Sequence, residues 1–238
     1  TRWATHGEPS DINSHPHQAS KGDITVVHNG IIENYAELTK FLKDKGYEFK
    51  SATDTEVIPN LIHYYYNGDL FEAVAKTIER LEGSYALGVI CGNEPDKIVA
   101  VRKDSPLIVG LGDNEKFIAS DIPAVLNYTR DIYLLEDKEI VVITKNSAEV
   151  FNLNGEKISK EIYKVTWNED AAEKGGYDSF MLKEIHEQPK AIRDTMTGRV
   201  LLNDKVKFED FNLTLEELNE IDRIYIIACG TAYNAGLM

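Results

Sequence analysis

The feature that most limits the fold of this chain is a run of short β-patterned segments between Tyr85 and Ile162. They read as Tyr85–Cys91, Lys97–Val101, Leu107–Gly110, Phe117–Ala119, Ile132–Leu135, Glu139–Thr144, Glu149–Leu153 and Glu156–Ile162. Each is rich in β-branched or aromatic residues and bounded by turn formers. Gly110-Leu111-Gly112 reads as a turn, and Asn154-Gly155 as a hairpin turn. Ahead of this run lie one more strand, 23–28, and several helical patterns. One strand, then helices, then many antiparallel strands is an α+β arrangement, with helices covering a layered sheet.

The helical patterns are distinct. Tyr35, Leu38, Phe41 and Leu42 recur at three- and four-residue steps, and Gly46 is placed to end that helix. Thr53 and Glu56 fit a capping box, which starts a helix faced by Ile58, Leu61, Ile62 and Tyr65. A further helix runs from Leu70 to Leu81. Composition shifts over Trp167–Gly176, an acidic, glycine-ended stretch expected to be a linker. Beyond it, Tyr177–Glu187 is helical, and Pro189 can open a second set of turns, Lys190–Thr197, closed at Gly198. Ile221–Ala228 reads as a buried strand, followed by Cys229-Gly230-Thr231 and a helix start. Strand, glycine and hydroxyl, then helix can receive a phosphate on backbone N–H groups.

The chemistry concentrates in Asp23-Ile-Thr-Val-Val-His28-Asn29-Gly30. The strand is expected to break at Asn29-Gly30. Asn-Gly is a common hairpin turn, yet a helical pattern follows instead of a partner strand. A strand ending there exposes a side-chain amide and a glycine N–H, which together can stabilise an oxyanion. Both readings stand on the sequence alone. Asp54 has two readings as well: it favours a helix dipole as the first helical residue, or it receives a ligand ammonium. Arg2 can clamp a carboxylate bidentately with Trp3 beside it, or make a surface ion pair. His6, His15, His17 and His28 could contribute to a zinc site, against which stand partly exposed loop histidines. Thr1 could act as an N-terminal nucleophile.

Composition excludes several classes. A net charge of -14 argues against a nucleic-acid surface. No apolar run approaches the roughly 18 residues of a membrane span. No signal peptide is visible, and Cys91 and Cys229 lie far apart in apolar runs, as reduced cytoplasmic thiols do. Thr1 opens directly into a dense motif, and the helix begun at Ala232 has no finish. Both ends lead us to expect an internal segment of a longer protein.

Thr1-Arg-Trp-Ala-Thr-His-Gly7, Ser14-His-Pro-His17, Val27-His-Asn-Gly-Ile-Ile-Glu-Asn-Tyr35 and Ser51-Ala-Thr-Asp-Thr-Glu56 resemble, in order and spacing, the class II glutamine amidotransferases. Met181-Leu-Lys-Glu-Ile-His-Glu-Gln-Pro189, Thr197-Gly-Arg199 and Ala228-Cys-Gly-Thr-Ala-Tyr-Asn-Ala-Gly236 narrow the resemblance to the isomerising glutamine–fructose-6-phosphate aminotransferase family. The resemblance implies an N-terminal-nucleophile αββα sandwich over 1–166, a linker over 167–176, and the start of an α/β sugar-isomerase domain over 177–238. It implies that Arg2 binds the glutamine α-carboxylate, that Thr5, His6 and Gly7 line the same pocket, and that Asp54 takes the α-ammonium. Asn29 and Gly30 then form the oxyanion hole, Trp3 lies between the glutaminase site and an ammonia channel, and Gly230 and Thr231 belong to a sugar-phosphate site. The implied substrates are glutamine and fructose 6-phosphate, with no cofactor, metal, nucleic acid or membrane, and the intact enzyme is expected to be a homo-oligomer. Two departures stand out. The family's N-terminal cysteine nucleophile is not among these residues, and Ala232 stands where many relatives carry a hydroxyl. The alternatives are a glutaminase domain serving another synthase, or a catalytically silent binding module on the same fold.

Overall fold

The structure, a computed structural model, describes residues 7–166, 177–196, 214–228 and 230–238. The chain divides into two compact units, Thr1–Glu173 and Lys174–Met238.

The first unit opens with β1 (His17–Gln18), β2 (Ile24–Ile32), α1 (Tyr35–Asp44), α2 (Val57–Tyr65) and α3 (Leu70–Ile78). It continues through β3 (Gly83–Cys91), β4 (Lys97–Lys103), β5 (Ile108–Gly112), β6 (Glu115–Ala119), β7 (Asp131–Leu134), β8 (Ile140–Thr144), β9 (Ala148–Phe151), β10 (Lys157–Ile158) and β11 (Tyr163–Lys164). All pair antiparallel, in a seven-stranded sheet ordered β1-β2-β3-β4-β8-β9-β10 and a four-stranded sheet ordered β11-β7-β5-β6.

Side-chain alternation sets the layers. From β3, Tyr85, Leu87, Val89 and Cys91 join the core beneath α1, α2 and α3, with Leu38, Leu42, Ile58 and Leu61 from the helices. The opposite face of the large sheet offers Ala86 and Ala100 to the core between the sheets, where Val109, Val141 and Val150 complete it. Small residues there let the sheets approach; a methyl group on Gly88 would come within 2.6 Å of Ile118. A third cluster, Ile108, Val125, Leu126, Ile132 and Val165, covers the outer face of the small sheet. Among the described residues this face carries a short 3-10 turn, Ile122–Ala124, in place of a long helix.

Helix α1 ends as its pattern requires. Gly46 N–H donates to Lys43 and Tyr47 N–H to Leu42, a glycine-terminated helix stop. Asp69 caps α3 by accepting the Glu72 N–H. Asn154-Gly155 does turn, with the Gly155 N–H donating to the Asn152 carbonyl between β9 and β10.

Several expectations give way. Strand β2 does not break at Asn29-Gly30: it pairs with β3 through Ile32↔Gly83. Gly110-Leu111-Gly112 is strand, and the turn follows at Asp113-Asn114, so Gly112 pairs with Glu115. Gly110 supplies room rather than a bend, because a methyl there would press on Thr129 and Phe117 at 3.1–3.3 Å.

The second unit contains α4 (Phe180–Met196), α5 (Leu215–Asn219) and α6 (Gly230–Leu237). Helix α4 runs through Pro189 as one piece, giving up the bond that residue's missing N–H would make. Ile221–Ala228 forms no strand: it finds no ladder partner among the described residues, and Ile224 and Ile227 stay exposed.

Candidate active site

Strand β2 and the loop before α2 build the site. Within β2, even-numbered residues Ile24, Val26, His28 and Ile32 are buried, while Asn29 is exposed. Asn29 lines a cavity of about 230 Å³ together with Val27, Ala86, Gly88, Leu107 and Ile118. Asn29 therefore borders open space in a largely apolar setting, where a hydrogen-bond donor acts strongly on developing charge.

Gly30 has φ +137°, paired opposite Tyr85. A Cβ there would lie 2.2 Å from the Ser84 carbonyl oxygen and 2.9 Å from Tyr85 Cα. The glycine thus serves close contact between paired strands, and the hairpin reading of Asn29-Gly30 is set aside. The Tyr85 phenol oxygen is buried with no hydrogen-bond partner among the described residues. Burial, with Asp137 and Asp104 adding to it, pushes that phenol up to about 12.

Asp54 is not the first residue of a helix. Helix α2 begins at Val57, and Asp54 sits in the preceding loop, only 3% exposed. Its Oδ2 accepts the Ile32 N–H at 2.7 Å. The capping box is not formed either. Glu56 reaches back to accept from the Lys50 and Ser51 N–H groups, at 2.9 and 2.7 Å, and from the Ser51 hydroxyl at 2.6 Å. Thr53 is held by the Ser51 hydroxyl at 3.0 Å and contacts His17 Nε2 at 3.4 Å. Sequence pattern named the right residues and the wrong partners, because a Glu three residues after a Thr can equally brace its own loop.

Asn13 was not singled out by any sequence signal. Its Oδ1 accepts the Ala52 N–H at 2.8 Å, and its Nδ2 donates to the Glu8 carbonyl at 2.9 Å. It is 5% exposed. Gly7 packs on the same pair: a methyl there would meet Asn13 Nδ2 at 3.0 Å and Ala52 at 3.2 Å. The structure thus brings Gly7 to the Asp54 loop, and that loop to Asn29 and Gly30.

His28 joins the two parts. Its Nδ1 is hydrogen-bonded to the Thr55 hydroxyl at 2.9 Å. Its Nε2 is buried without a well-formed hydrogen bond among the described residues, although the Ser84 backbone is close enough to act on the ring's charge. Burial lowers its pKa to about 4; Asp54 and Ser84 oppose this, and His15 and His17 add slightly to it. The imidazole is therefore neutral at pH 7. The histidine rings pack edge to face, His15 on His17 at 5.3 Å and on His28 at 6.4 Å between centroids. Among the described residues no group of His, Cys, Asp and Glu is arranged to hold a metal ion.

Arg2, Trp3, Thr5 and His6 lie outside the described residues. In the second unit, Gly230 opens α6 with a left-handed φ of 61° and nothing within 4 Å of its missing Cβ. Thr231 follows it in α6, and Cys229 lies outside the described residues. Cys91 is buried in β3. Among the described residues no helix is long and apolar enough to cross a membrane.

The chain is 66% identical, over all its 238 residues, to glutamine–fructose-6-phosphate aminotransferase (isomerising) of Clostridium tetani, and 64% identical to that of Clostridium perfringens. It spans 39% of the length of each. Its fold resembles that of glutamine phosphoribosylpyrophosphate amidotransferase from B. subtilis, with TM-score 0.54 and 22% identity over 64% of this chain and 33% of that one. Residues 6–127 match the family model described as glutamine amidotransferase domain. That span holds Gly7, Asn13, Asn29, Gly30 and Asp54, with the strand and loop that join them, and on this ground the chain belongs to the class II glutamine amidotransferase family.

Proposed function

We propose that these residues are the glutamine-hydrolysing part, and the first residues of the sugar-isomerase part, of an isomerising glutamine–fructose-6-phosphate aminotransferase. The observation that carries this reading is that the likeness to such enzymes runs over all 238 residues, well past residue 127 where the amidotransferase match ends. The parent reaction moves the amide nitrogen of glutamine to fructose 6-phosphate, giving glucosamine 6-phosphate and glutamate. The intact enzyme is proposed to be cytoplasmic and homo-oligomeric. Its domains divide at the acidic linker, 167–176, with the amidotransferase domain over 1–166 and the isomerase part from 177.

The residue roles follow the chemistry. A thiolate attacks the glutamine amide carbon, and negative charge develops on the former carbonyl oxygen. The Asn29 amide and the Gly30 N–H stabilise that oxyanion. Ammonia then leaves as the C–N bond breaks, and water hydrolyses the resulting thioester to glutamate. Arg2 holds the α-carboxylate and Asp54 the α-ammonium. Thr5, His6 and Gly7 line the pocket, and Trp3 separates it from the path of the ammonia. Gly230 and Thr231 contact the sugar phosphate. Asp54 is buried, and its bond from the Ile32 N–H anchors its carboxylate to the strand that carries Asn29 and Gly30.

The nucleophile is proposed to be a cysteine in a segment preceding Thr1. Cys91 is buried in β3, in the core beneath the helices, and cannot serve. The assay is glutamate release by the 238-residue chain, alone and with a supplied N-terminal segment beginning with cysteine. No turnover alone, and turnover with that segment, is the expected pair of results. Turnover by the chain alone at about 1 s⁻¹ or more, a rate typical of enzymes, would overturn the assignment of the nucleophile.

A further inference from the structure

Two consecutive loop residues hold β2 on both sides of its irregular point. Thr55 bonds His28, and Asp54 bonds the Ile32 N–H. Asn29 and Gly30 lie between those two attachments. The loop is itself fixed from two other directions, by Glu56 on the 50–51 backbone and by Asn13 on the Ala52 N–H. We infer that His28 is a positioning residue of the glutaminase site: its bond to Thr55 keeps the Asn29–Gly30 donors and the Asp54 carboxylate in one fixed geometry. This rests on the glutaminase reading above.

The need for such a tie follows from the strand. At φ +137° Gly30 departs from the extended conformation of its neighbours. A glycine also lacks the side-chain packing that fixes a strand residue in place. Catalytic donors must hold their aim to within a fraction of an ångström, and that precision comes from groups behind them. His28 is adjacent to Asn29 but points to the helix side, where Thr55 is its partner. A hydroxyl both donates and accepts, so the bond forms with either tautomer of the neutral ring.

The competing role is ordinary core filling. The two make different forecasts for His28→Leu. This variant keeps apolar volume and also removes the buried Nε2 that lacks a good partner, so the fold should persist. Core filling alone would leave the chemistry unchanged.

The test is glutaminase kinetics in the intact enzyme proposed above, for His28→Leu, Thr55→Val, the double variant, Thr55→Ser and Asn29→Ala. We expect His28→Leu and Thr55→Val each to lower kcat, by on the order of 100-fold, as a small misplacement of donors does. Glutamine KM should rise in both, because Asp54 moves with Thr55. The double variant should be no worse than the poorer single one, since both remove the same bond. Thr55→Ser should stay near the parent. Additive losses in the double variant, or a parental kcat in His28→Leu beside an impaired Asn29→Ala, would overturn the positioning role alone. A parental kcat in Asn29→Ala would overturn the glutaminase reading, and this role with it.

Discussion

Replacing Gly30 by alanine tests the close approach of β2 and β3 directly. The added Cβ would sit 2.2 Å from the Ser84 carbonyl oxygen and 2.7 Å from its carbon. That is more than about 1 Å short of ordinary contact. The neighbours are backbone atoms of a paired strand, so no side chain can swing aside. Overpacking of this kind costs about 1–3 kcal/mol. Alanine at φ +137° adds strain of about 1–3 kcal/mol. Together these amount to about 4 kcal/mol, a large share of the 5–15 kcal/mol typical of a folded domain. Gly68 provides the control. Its φ is +106°, yet nothing lies within 4 Å of the position a Cβ would take. Gly68→Ala therefore meets the strain alone, partly offset by about 0.4–1 kcal/mol from a less flexible unfolded chain. Urea unfolding of the 238-residue chain, followed by circular dichroism, measures both. The gap between the variants should be about 2 kcal/mol or more, or roughly a 1 M difference in midpoint at a typical urea slope. Equal losses in the two would show that contact with Ser84 is not what demands glycine at position 30.

Two further outcomes are expected. If Arg2 and Asp54 form the proposed clamp, Arg2→Ala and Asp54→Ala in the intact enzyme should each raise glutamine KM far more than they lower kcat, since truncating one partner of a buried charge pair costs roughly 2–5 kcal/mol; an unchanged KM would remove that residue from the clamp. The neutral His28 makes stability depend on pH. Its pKa is about 4 folded against 6.5 unfolded, so below 6.5 the unfolded chain takes up the proton first. Stability should fall with pH from 6.5 to 4, by about 3 kcal/mol at about 1.4 kcal/mol per pH unit, and level off below. His28→Leu should flatten that slope by the same amount. His63, also lowered by burial and by Lys21, contributes equally to both proteins and drops out of the comparison. A slope unaltered by His28→Leu would mean the ring is not protected from protonation.

The sequence made the periodic elements legible because their signals are local. The Tyr35–Leu42 stripe and Gly46 give α1 and its end, and Asn154-Gly155 gives the last hairpin. Asn29, Gly30 and Asp54 stand out in the sequence as candidates, and the structure puts them in one region. Their local structure was less readable. An Asn-Gly pair suits a turn and an internal strand contact equally, and only Ser84, on the facing strand, separates the two. Glu56 carries the capping signature, yet its carboxylate bonds residues five and six positions back. Asn13 and Ala52 are 39 residues apart, and His28 and Thr55 are 27 apart. No periodicity records such pairs. Ile221–Ala228 shows the converse limit: β-forming composition yields a strand only where a neighbour supplies a ladder.

The bond from the Ile32 N–H to Asp54 has a spectroscopic consequence. This amide, at the end of β2, donates to a side-chain carboxylate at 2.7 Å. A proton held so closely by an anion resonates well downfield of its neighbours and exchanges slowly with solvent. An ammonium received by Asp54, as proposed above, would share that carboxylate, and the amide would then report on the pocket. Adding glutamate to the 15N-labelled chain should draw the Ile32 signal upfield as an ammonium arrives. Occupancy could then be followed at a single backbone resonance, without turnover and without any label on the ligand.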